Sequence, residues 1–258
     1  MGKHTIYYIA FLSLLIAIIC IPQQNLLNNT NSKSEEEAPI NPDYYSMEWR
    51  IFTTEDKLAP PIDDTNSKDI RLRGTGKTYY DWSKRSMLEI YNDFCIPIFQ
   101  NPTTDFNFQC HFLNVGEKVY LRVFNVPTRP PCCLFAEDFH PPLPTFAVDN
   151  KLPYNSTISI AGEEADYWSM NIPPPGPFWY GWYKNKIVDG YRVPAAFAFL
   201  TVSPEDWTSQ NFFNFKHERP PQSVFDIPEE CQNPEPCVVF PPELVSRKLL
   251  TYTKINKK

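Results

Sequence analysis

The chain is short of glycine and of basic residues, and each shortage excludes a class of structure or function. It has 8 glycines against 27 prolines, and 24 lysines and arginines against 30 acidic residues, so its net charge is -6. Nucleic-acid binding usually requires a basic surface, and we therefore predict no nucleic-acid partner. Because proline fixes φ and lacks an amide donor, its clusters exclude long helices from the second half of the chain.

Motifs of common active sites are also missing. The stretch "RLRGTGKTYYDW" contains Gly-Lys-Thr, but a phosphate-binding loop needs a glycine at the position of Arg71 and a helix after the loop. There is no G-x-S-x-G motif, no EF-hand loop and no cysteine spacing suited to zinc. We predict a non-enzymatic protein without metal or cofactor. The alternative is a hydrolase with a catalytic carboxylate pair, for which the candidates are Glu163, Glu164 and Asp166.

The first residues indicate export from the cytoplasm. Residues 1–21 place Lys3 and His4 before a long apolar run, which predicts a signal peptide, or an uncleaved anchor because the cleavage region lacks a small-x-small pattern. Cleavage would leave no stable transmembrane span. A flexible polar lead-in follows at 22–43, and sequons predict glycosylation of Asn28 and Asn155. The expected location is extracellular or the lumen of a lysosome or vacuole.

The cysteines fit an oxidising compartment. If Cys20 leaves with the signal peptide, an even number of cysteines remains, which indicates three disulfides with 15 possible pairings. The six residues are Cys95, Cys110, Cys132, Cys133, Cys231 and Cys237.

Alternation of polar and apolar residues predicts a β-rich domain at 44–240, followed by a basic tail at 241–258. In "FNFQCHF" the phenylalanines and Cys110 fall on one face, as a half-buried strand requires. Similar segments, including "ISIAGEEADYWSM" as one strand, give about nine antiparallel strands. The best helix candidate is the short stretch "PEDWTSQ". Gly74 and Gly76 are interpreted as relief of crowding in a bent or bulged strand.

The aromatic strand "FWYGWYK" is the most unusual feature. A concave sheet with aromatic side chains could form a pocket for a lipid or other hydrophobic molecule. The alternative is that the rings only fill a core, as in an extracellular matrix or adhesion glycoprotein. The candidate pocket residues are Trp168, Phe178, Trp179, Tyr180, Trp182, Phe197, Phe199, Phe213 and Phe215.

Several segments in order resemble the ependymins and mammalian ependymin-related proteins. They are "CCLFAEDFHPPLP", "YNSTISIAGEEADYW", the aromatic strand, and "SVFDIPEEC" followed by Cys237, and the resemblance covers roughly 68–237. It implies two curved antiparallel sheets that form a half-open barrel around a hydrophobic pocket, in a secreted or lysosomal glycoprotein that binds lipids and can form a homodimer.

The resemblance also implies disulfide pairings. It pairs Cys110 with Cys237, and one of Cys132 and Cys133 with Cys231. The chain departs from the family pattern by carrying Cys95 and the doublet, so the third bridge is expected between Cys95 and the remaining member of the doublet.

Overall fold

The computed structural model describes residues 37–54, 70–95, 107–170, 178–200 and 207–237. Most regular structure in these ranges is β-strand, as the two-residue alternation predicts. The strands are β1 (Tyr44–Thr54), β2 (Ile70–Asp81), β3 (Ser86–Tyr91), β4 (Cys110–Val115), β5 (Lys118–Val123), β6 (Cys132–Ala136), β7 (Tyr154–Ile160), β8 (Glu163–Met170), β9 (Phe178–Val188), β10 (Tyr191–Leu200) and β11 (Trp207–Lys216). The helical elements are α1 (Phe146–Asp149) and 3₁₀ turns at Trp82–Lys84, Gln222–Phe225 and Glu229–Cys231.

These eleven strands form one antiparallel sheet in the order β6-β5-β4-β3-β2-β1-β11-β10-β9-β8-β7. The first strand pairs with the last, so two meanders extend in opposite directions from the β1–β11 pair. β6 and β7 are consecutive in the chain but lie at the two ends of the sheet. The sheet is therefore curved and unclosed, which confirms the predicted all-β, half-open barrel, with both halves joined in one sheet.

A contact between distant strands shows the strength of this curvature. Tyr91 on β3 and Gln210 on β11 are separated by β2 and β1, yet Gln210 Nε2 lies 3.5 Å from Tyr91 Oη. In a flat sheet the strands would be about 14 Å apart, at roughly 4.8 Å per spacing, with parallel side chains. The two side chains meet because the sheet folds around them.

Both faces of the sheet are buried in part. The concave face carries the largest group of buried apolar side chains, among them Trp49, Tyr91 and Trp182. On the convex face of β3–β6, Phe225 and Cys231 from the C-terminal 3₁₀ turns cover the buried strand residues. Successive side chains of these strands point to opposite faces, and apolar residues occur on both faces because each face is covered by other parts of the protein.

The link between β6 and β7 and residues 38–43 pack against residues of the barrel interior. In that link, α1 places the Phe146 ring 5.5 Å from the Tyr180 ring. Tyr80 Oη donates a hydrogen bond of 2.7 Å to the carbonyl oxygen of Pro142. Trp182 Nε1 donates one of 3.0 Å to Asn41 Oδ1. Residues 38–43, predicted as the end of the polar lead-in, are thus packed against the interior.

Two secondary-structure predictions are wrong. Residues 158–170 form two strands because Ala161 and Gly162, with φ of 51° and 81°, make a turn between β7 and β8. The predicted helix at "PEDWTSQ" is wrong for Trp207–Gln210, which begin β11 and pair with β1 and β10. Pairing of these residues with the strands on both sides outweighs the helix-start pattern of the local sequence.

The six cysteines form the disulfides Cys95–Cys110, Cys132–Cys231 and Cys133–Cys237. Three bridges are confirmed, and so is a bridge from the doublet to Cys231. The pairings of Cys110 with Cys237 and of Cys95 with the doublet are wrong. The reason is that Cys237 is held beside β6 by a backbone hydrogen bond of 2.8 Å from its amide to the carbonyl of Leu134.

The predicted signal peptide at 1–21, the Asn28 sequon and the basic tail at 241–258 lie outside the described residues. Within the described ranges, every helix is too short or too polar to cross a membrane.

Candidate functional site

Aromatic side chains converge on the concave face of β8–β11. The register pairs Trp168 with Tyr180 and Tyr180 with Phe197, so these three rings lie side by side on neighbouring strands. The Tyr180 ring lies 4.5 Å from that of Trp182 and 5.8 Å from that of Phe197. Because strand side chains alternate, six of the nine predicted pocket residues share this face. We call them the aromatic cluster: Trp168, Phe178, Tyr180, Trp182, Phe197 and Phe199.

Part of the concave face remains open. Trp168 and Trp182 are fully buried, but Phe178 and Phe197 are only partly buried. On the opposite half of the barrel, the inward-facing Phe112 and Phe135 are also partly buried, with their rings 5.0 Å apart. An inward ring that solvent reaches borders a space that the side chains do not fill.

The other three predicted pocket residues do not belong to this cluster, although Phe215 contacts the concave residue Tyr45. Trp179 faces the convex side, with its ring 5.4 Å from that of Tyr167. Phe213 and Phe215 border an open groove of about 480 Å³ near the β9–β10 hairpin. Exposed Lys186 and Asn214 form part of that groove. We prefer the concave face as the candidate site, because it carries the largest apolar cluster, whereas exposed polar side chains form part of the groove.

Glu89 places a carboxyl group on the concave face. It pairs across the sheet with Thr78, whose hydroxyl accepts a 3.0 Å hydrogen bond from the inward-facing Trp49. Tyr91 Oη donates a hydrogen bond of 3.0 Å to Glu89 Oε2. Burial raises the pKa of Glu89, and hydrogen bonds to Tyr91 and Gln210 partly oppose that shift. The side chain is nevertheless partly accessible, so it too borders the open space.

Three buried tyrosines respond to the charge of this carboxyl group. Burial raises the pKa of Tyr45, Tyr91 and Tyr180, and the negative charge of Glu89 raises all three further. The phenols therefore stay neutral hydrogen-bond donors at physiological pH. Sequence reasoning did not find Glu89, although it alternates with Met87 and Tyr91 in "RSMLEIY", and a carboxyl group between two apolar residues on one face is the pattern that could have identified it.

The three carboxylates considered for a hydrolase differ in burial and in their partners. Glu163 and Glu164 are exposed beside the β7–β8 turn, and Glu163 Oε1 lies 2.7 Å from Lys186 Nζ. Asp166 is buried, accepts a hydrogen bond from Thr157, and lies 2.7 Å from Arg192 Nη2. Asp166 therefore has a structural partner, and the absence of enzymatic activity stays a prediction.

Arg192→Met tests this buried ion pair. We expect it to lower the free energy of unfolding by about 2–3 kcal/mol, because Asp166 would remain buried without its cation. Lys186→Met is the matched control: its ion pair with Glu163 is about half exposed on both sides, so we expect a change below about 1 kcal/mol. Urea unfolding measures both values, and equal losses would contradict the structural role of the Asp166–Arg192 pair.

Asn155, the second predicted glycosylation site, lies on β7. Its side chain is exposed, and its amide nitrogen donates a hydrogen bond to Ser169 Oγ. β7 ends the sheet, so an attached glycan would extend into solvent, and glycosylation stays a prediction. In the described ranges, His, Cys, Asp and Glu side chains form no group of three that could hold a metal ion.

Comparisons with known proteins give similar folds but no family. No family model and no curated protein matches the chain. An uncharacterized conserved protein from Thermus thermophilus is 8% identical, covers 72% of this chain and 88% of its own length, and has a TM-score of 0.40. A LolA superfamily protein from Nitrosomonas europaea is 9% identical, with coverages of 74% and 92% and a TM-score of 0.31.

A third solved structure is a putative outer membrane lipoprotein-sorting protein domain from Vibrio parahaemolyticus. It is 10% identical, with coverages of 70% and 89% and a TM-score of 0.33. The predicted membership of the ependymin family is wrong, because no family model or curated protein matches and the similar solved structures are bacterial proteins of other descriptions. At these TM-scores the comparisons carry no argument about function.

Proposed function

We propose that the protein binds a lipid or other hydrophobic molecule against its concave face and has no catalytic role. The observation that carries this proposal is the partial exposure of inward-facing rings on both halves of the barrel, Phe178 and Phe197 on one side and Phe112 and Phe135 on the other. A filled core would bury these rings completely. An apolar ligand would complete their burial.

Burial of the hydrocarbon chain of a ligand is sufficient for micromolar affinity. Burial of a methylene group contributes about 0.8 kcal/mol, so a chain of about twelve carbons contributes on the order of 10 kcal/mol before costs. Association and ligand ordering oppose this by several kcal/mol. We therefore expect dissociation constants on the order of 1 to 100 μM for simple chains.

The proposed location is an oxidising compartment outside the cytoplasm. The three disulfides support it, because such bridges persist where thiols are not kept reduced. The exposed sequon at Asn155 is compatible with passage through a compartment where glycans are added. Within this proposal, the protein is either secreted from the cell or retained in the lumen of a lysosome or vacuole.

Native mass spectrometry of the disulfide-bonded protein tests the proposal. We expect a co-purifying lipid, or uptake of a neutral long-chain alcohol by protein from which lipid has been extracted. Protein that carries no ligand and takes up no neutral apolar probe would contradict the proposal. That outcome, together with capture of a protein partner, would favour the matrix or adhesion alternative.

Phe197→Gln is expected to weaken binding of a neutral apolar probe about tenfold. The change replaces an inward ring by a polar amide and removes roughly 1.5 kcal/mol of apolar contact. Phe213→Gln is the matched control, since Phe213 is also partly buried but lies under the Arg50 guanidinium on the convex side. Titration of probe fluorescence measures both variants, and equal weakening would show that the concave face is not the binding surface.

A further inference from the structure

Glu89 is unusual among the concave residues because it is a carboxyl group that pairs with no cation in the described part of the chain. The groups that set its ionisation are the surrounding apolar residues, Tyr91 and Gln210, and no lysine, arginine or histidine of the described residues is among them. The buried Asp166, in contrast, is paired with Arg192. A carboxylate in an apolar space is costly unless a positive charge or several donors compensate it.

The neighbours of Glu89 suit a small cation. Tyr91 Oη donates a hydrogen bond of 3.0 Å to Glu89, and the charge of Glu89 raises the pKa of Tyr45 on β1 and of Tyr180 on β9. Aromatic rings attract ammonium groups. Thr208, two residues before Gln210 on the inward face of β11, has a buried hydroxyl with no hydrogen-bond partner among the described residues. The polar groups thus lie within an otherwise aromatic interior.

We propose that Glu89 binds the ammonium group of a long-chain amine whose hydrocarbon tail contacts the aromatic cluster. The inference rests on the proposed binding of an apolar molecule to the concave face. An amine supplies the missing positive charge and up to three donors, for Glu89 and the tyrosine oxygens. A fatty acid would place a second carboxylate beside Glu89, which like charges disfavour. A fatty alcohol would gain one neutral hydrogen bond.

A series of ligands with equal chain length tests the inference. Dodecylamine, dodecanol and dodecanoate are titrated at pH 7 against the disulfide-bonded protein by calorimetry. We expect the amine to bind about tenfold more tightly than the alcohol, and the carboxylate to bind more weakly than the alcohol. If the alcohol binds but the amine is not preferred, the inference about Glu89 is overturned while the proposed function stands. If none of the three binds, the proposed function itself fails.

Glu89→Gln separates charge from shape. We expect the variant to lose the preference for the amine and to keep its affinity for the alcohol within about twofold, since glutamine has the same size. Glu48→Gln is the matched control, because Glu48 also lies on a strand but accepts a hydrogen bond from Asn214 away from the concave face. Retention of the amine preference in Glu89→Gln would overturn the inference. The ligand series on the unmodified protein decides the question if that variant fails to fold.

The pH dependence gives a second readout. The titratable groups that the charge of Glu89 affects are Tyr45, Tyr91 and Tyr180, all of which stay neutral. The neighbouring polar groups Thr78 on β2 and Gln210 on β11 do not titrate. Because the pKa of Glu89 is raised, falling pH protonates it before an ordinary glutamate with a pKa of 4.5. Dodecylamine stays charged throughout, so its advantage over dodecanol should decline as the pH falls and should already be reduced above pH 4.5. A constant ratio down to that pH would overturn the inference.

Discussion

Gly76→Ala is expected to lower the free energy of unfolding by about 3–5 kcal/mol. A Cβ at this position would lie 2.1 Å from the Trp49 ring and 2.3 Å from the carbonyl oxygen of Ile90. The ring has little room to move, because Trp49 is buried, its ring lies 4.8 Å from that of Tyr91, and its indole nitrogen donates to Thr78. Alanine is less flexible than glycine in the unfolded chain, and this effect offsets only about 0.4–1 kcal/mol of the expected loss of stability.

Gly74→Ala provides the control on the same strand. Its Cβ would meet the Cβ of Asp93 at 3.2 Å and the amide nitrogen of Phe94 at 3.3 Å, and Asp93 is exposed and can shift. We expect a loss of about 1 kcal/mol or less, measured by guanidinium unfolding of both variants. Similar losses would mean that Gly76 acts through backbone flexibility and not through space for Trp49.

The same pair of glycines shows what the sequence could predict. Two glycines between polar and aromatic residues of a strand indicate crowding or a bulge, and the register of β1 with β2 does shift between Ile51 and Phe52, opposite Gly74. The identity of the ring over Gly76 was not predictable, because Trp49 reaches that position only through pairing of β1 with β2. Strand pairing is a tertiary property that one sequence does not determine.

Alternation also assigns residues to two faces without saying which face is concave. It separates Phe178, Tyr180 and Trp182 from Trp179, but the inward group is identified only by the curvature that brings β3 near β11. Phe215 shows a further limit. Asn214 has a φ of 50°, which interrupts the alternation, so Phe215 lies beside Tyr45 at 5.6 Å and also borders the groove.

The number of disulfides was predictable from the even count of cysteines, but their pairing was not. Cys132 and Cys133 are adjacent on β6, so their side chains point to opposite faces. Cys132 joins the cluster under the C-terminal 3₁₀ turns, whereas Cys133 joins the concave core. The C-terminal segment therefore bonds to both sides of β6, an arrangement that depends on the sheet order and not on sequence spacing.

Removal of both bridges to the cysteine doublet, by alanine at Cys132, Cys133, Cys231 and Cys237, is expected to have the largest effect on stability of any disulfide removal. The two bridges span 99 and 104 positions, and either one alone would keep most of this constraint because Cys132 and Cys133 are adjacent. In the chain-entropy model, a loop of that length corresponds to about 4.7 kcal/mol of stabilisation. The loss should also loosen residues 235–237, whose backbone hydrogen bonds to Leu134 cover the outer side of β6. Uncovered strand edges promote association, so we expect aggregation at lower denaturant concentrations than for the unmodified protein.

The Cys95–Cys110 bridge is the matched comparison, because it spans only 15 positions and lies on the concave side, as Cys133 does. The chain-entropy model assigns about 3 kcal/mol to a loop of that length, so its double alanine variant should retain more stability. Urea unfolding under oxidising conditions measures both variants, and light scattering near the transition reports association. A larger loss for the Cys95–Cys110 variant would show that local packing of the bridge outweighs the constraint on the unfolded chain. Equal scattering from the two variants would show that residues 235–237 cover β6 without help from the two bridges to the doublet.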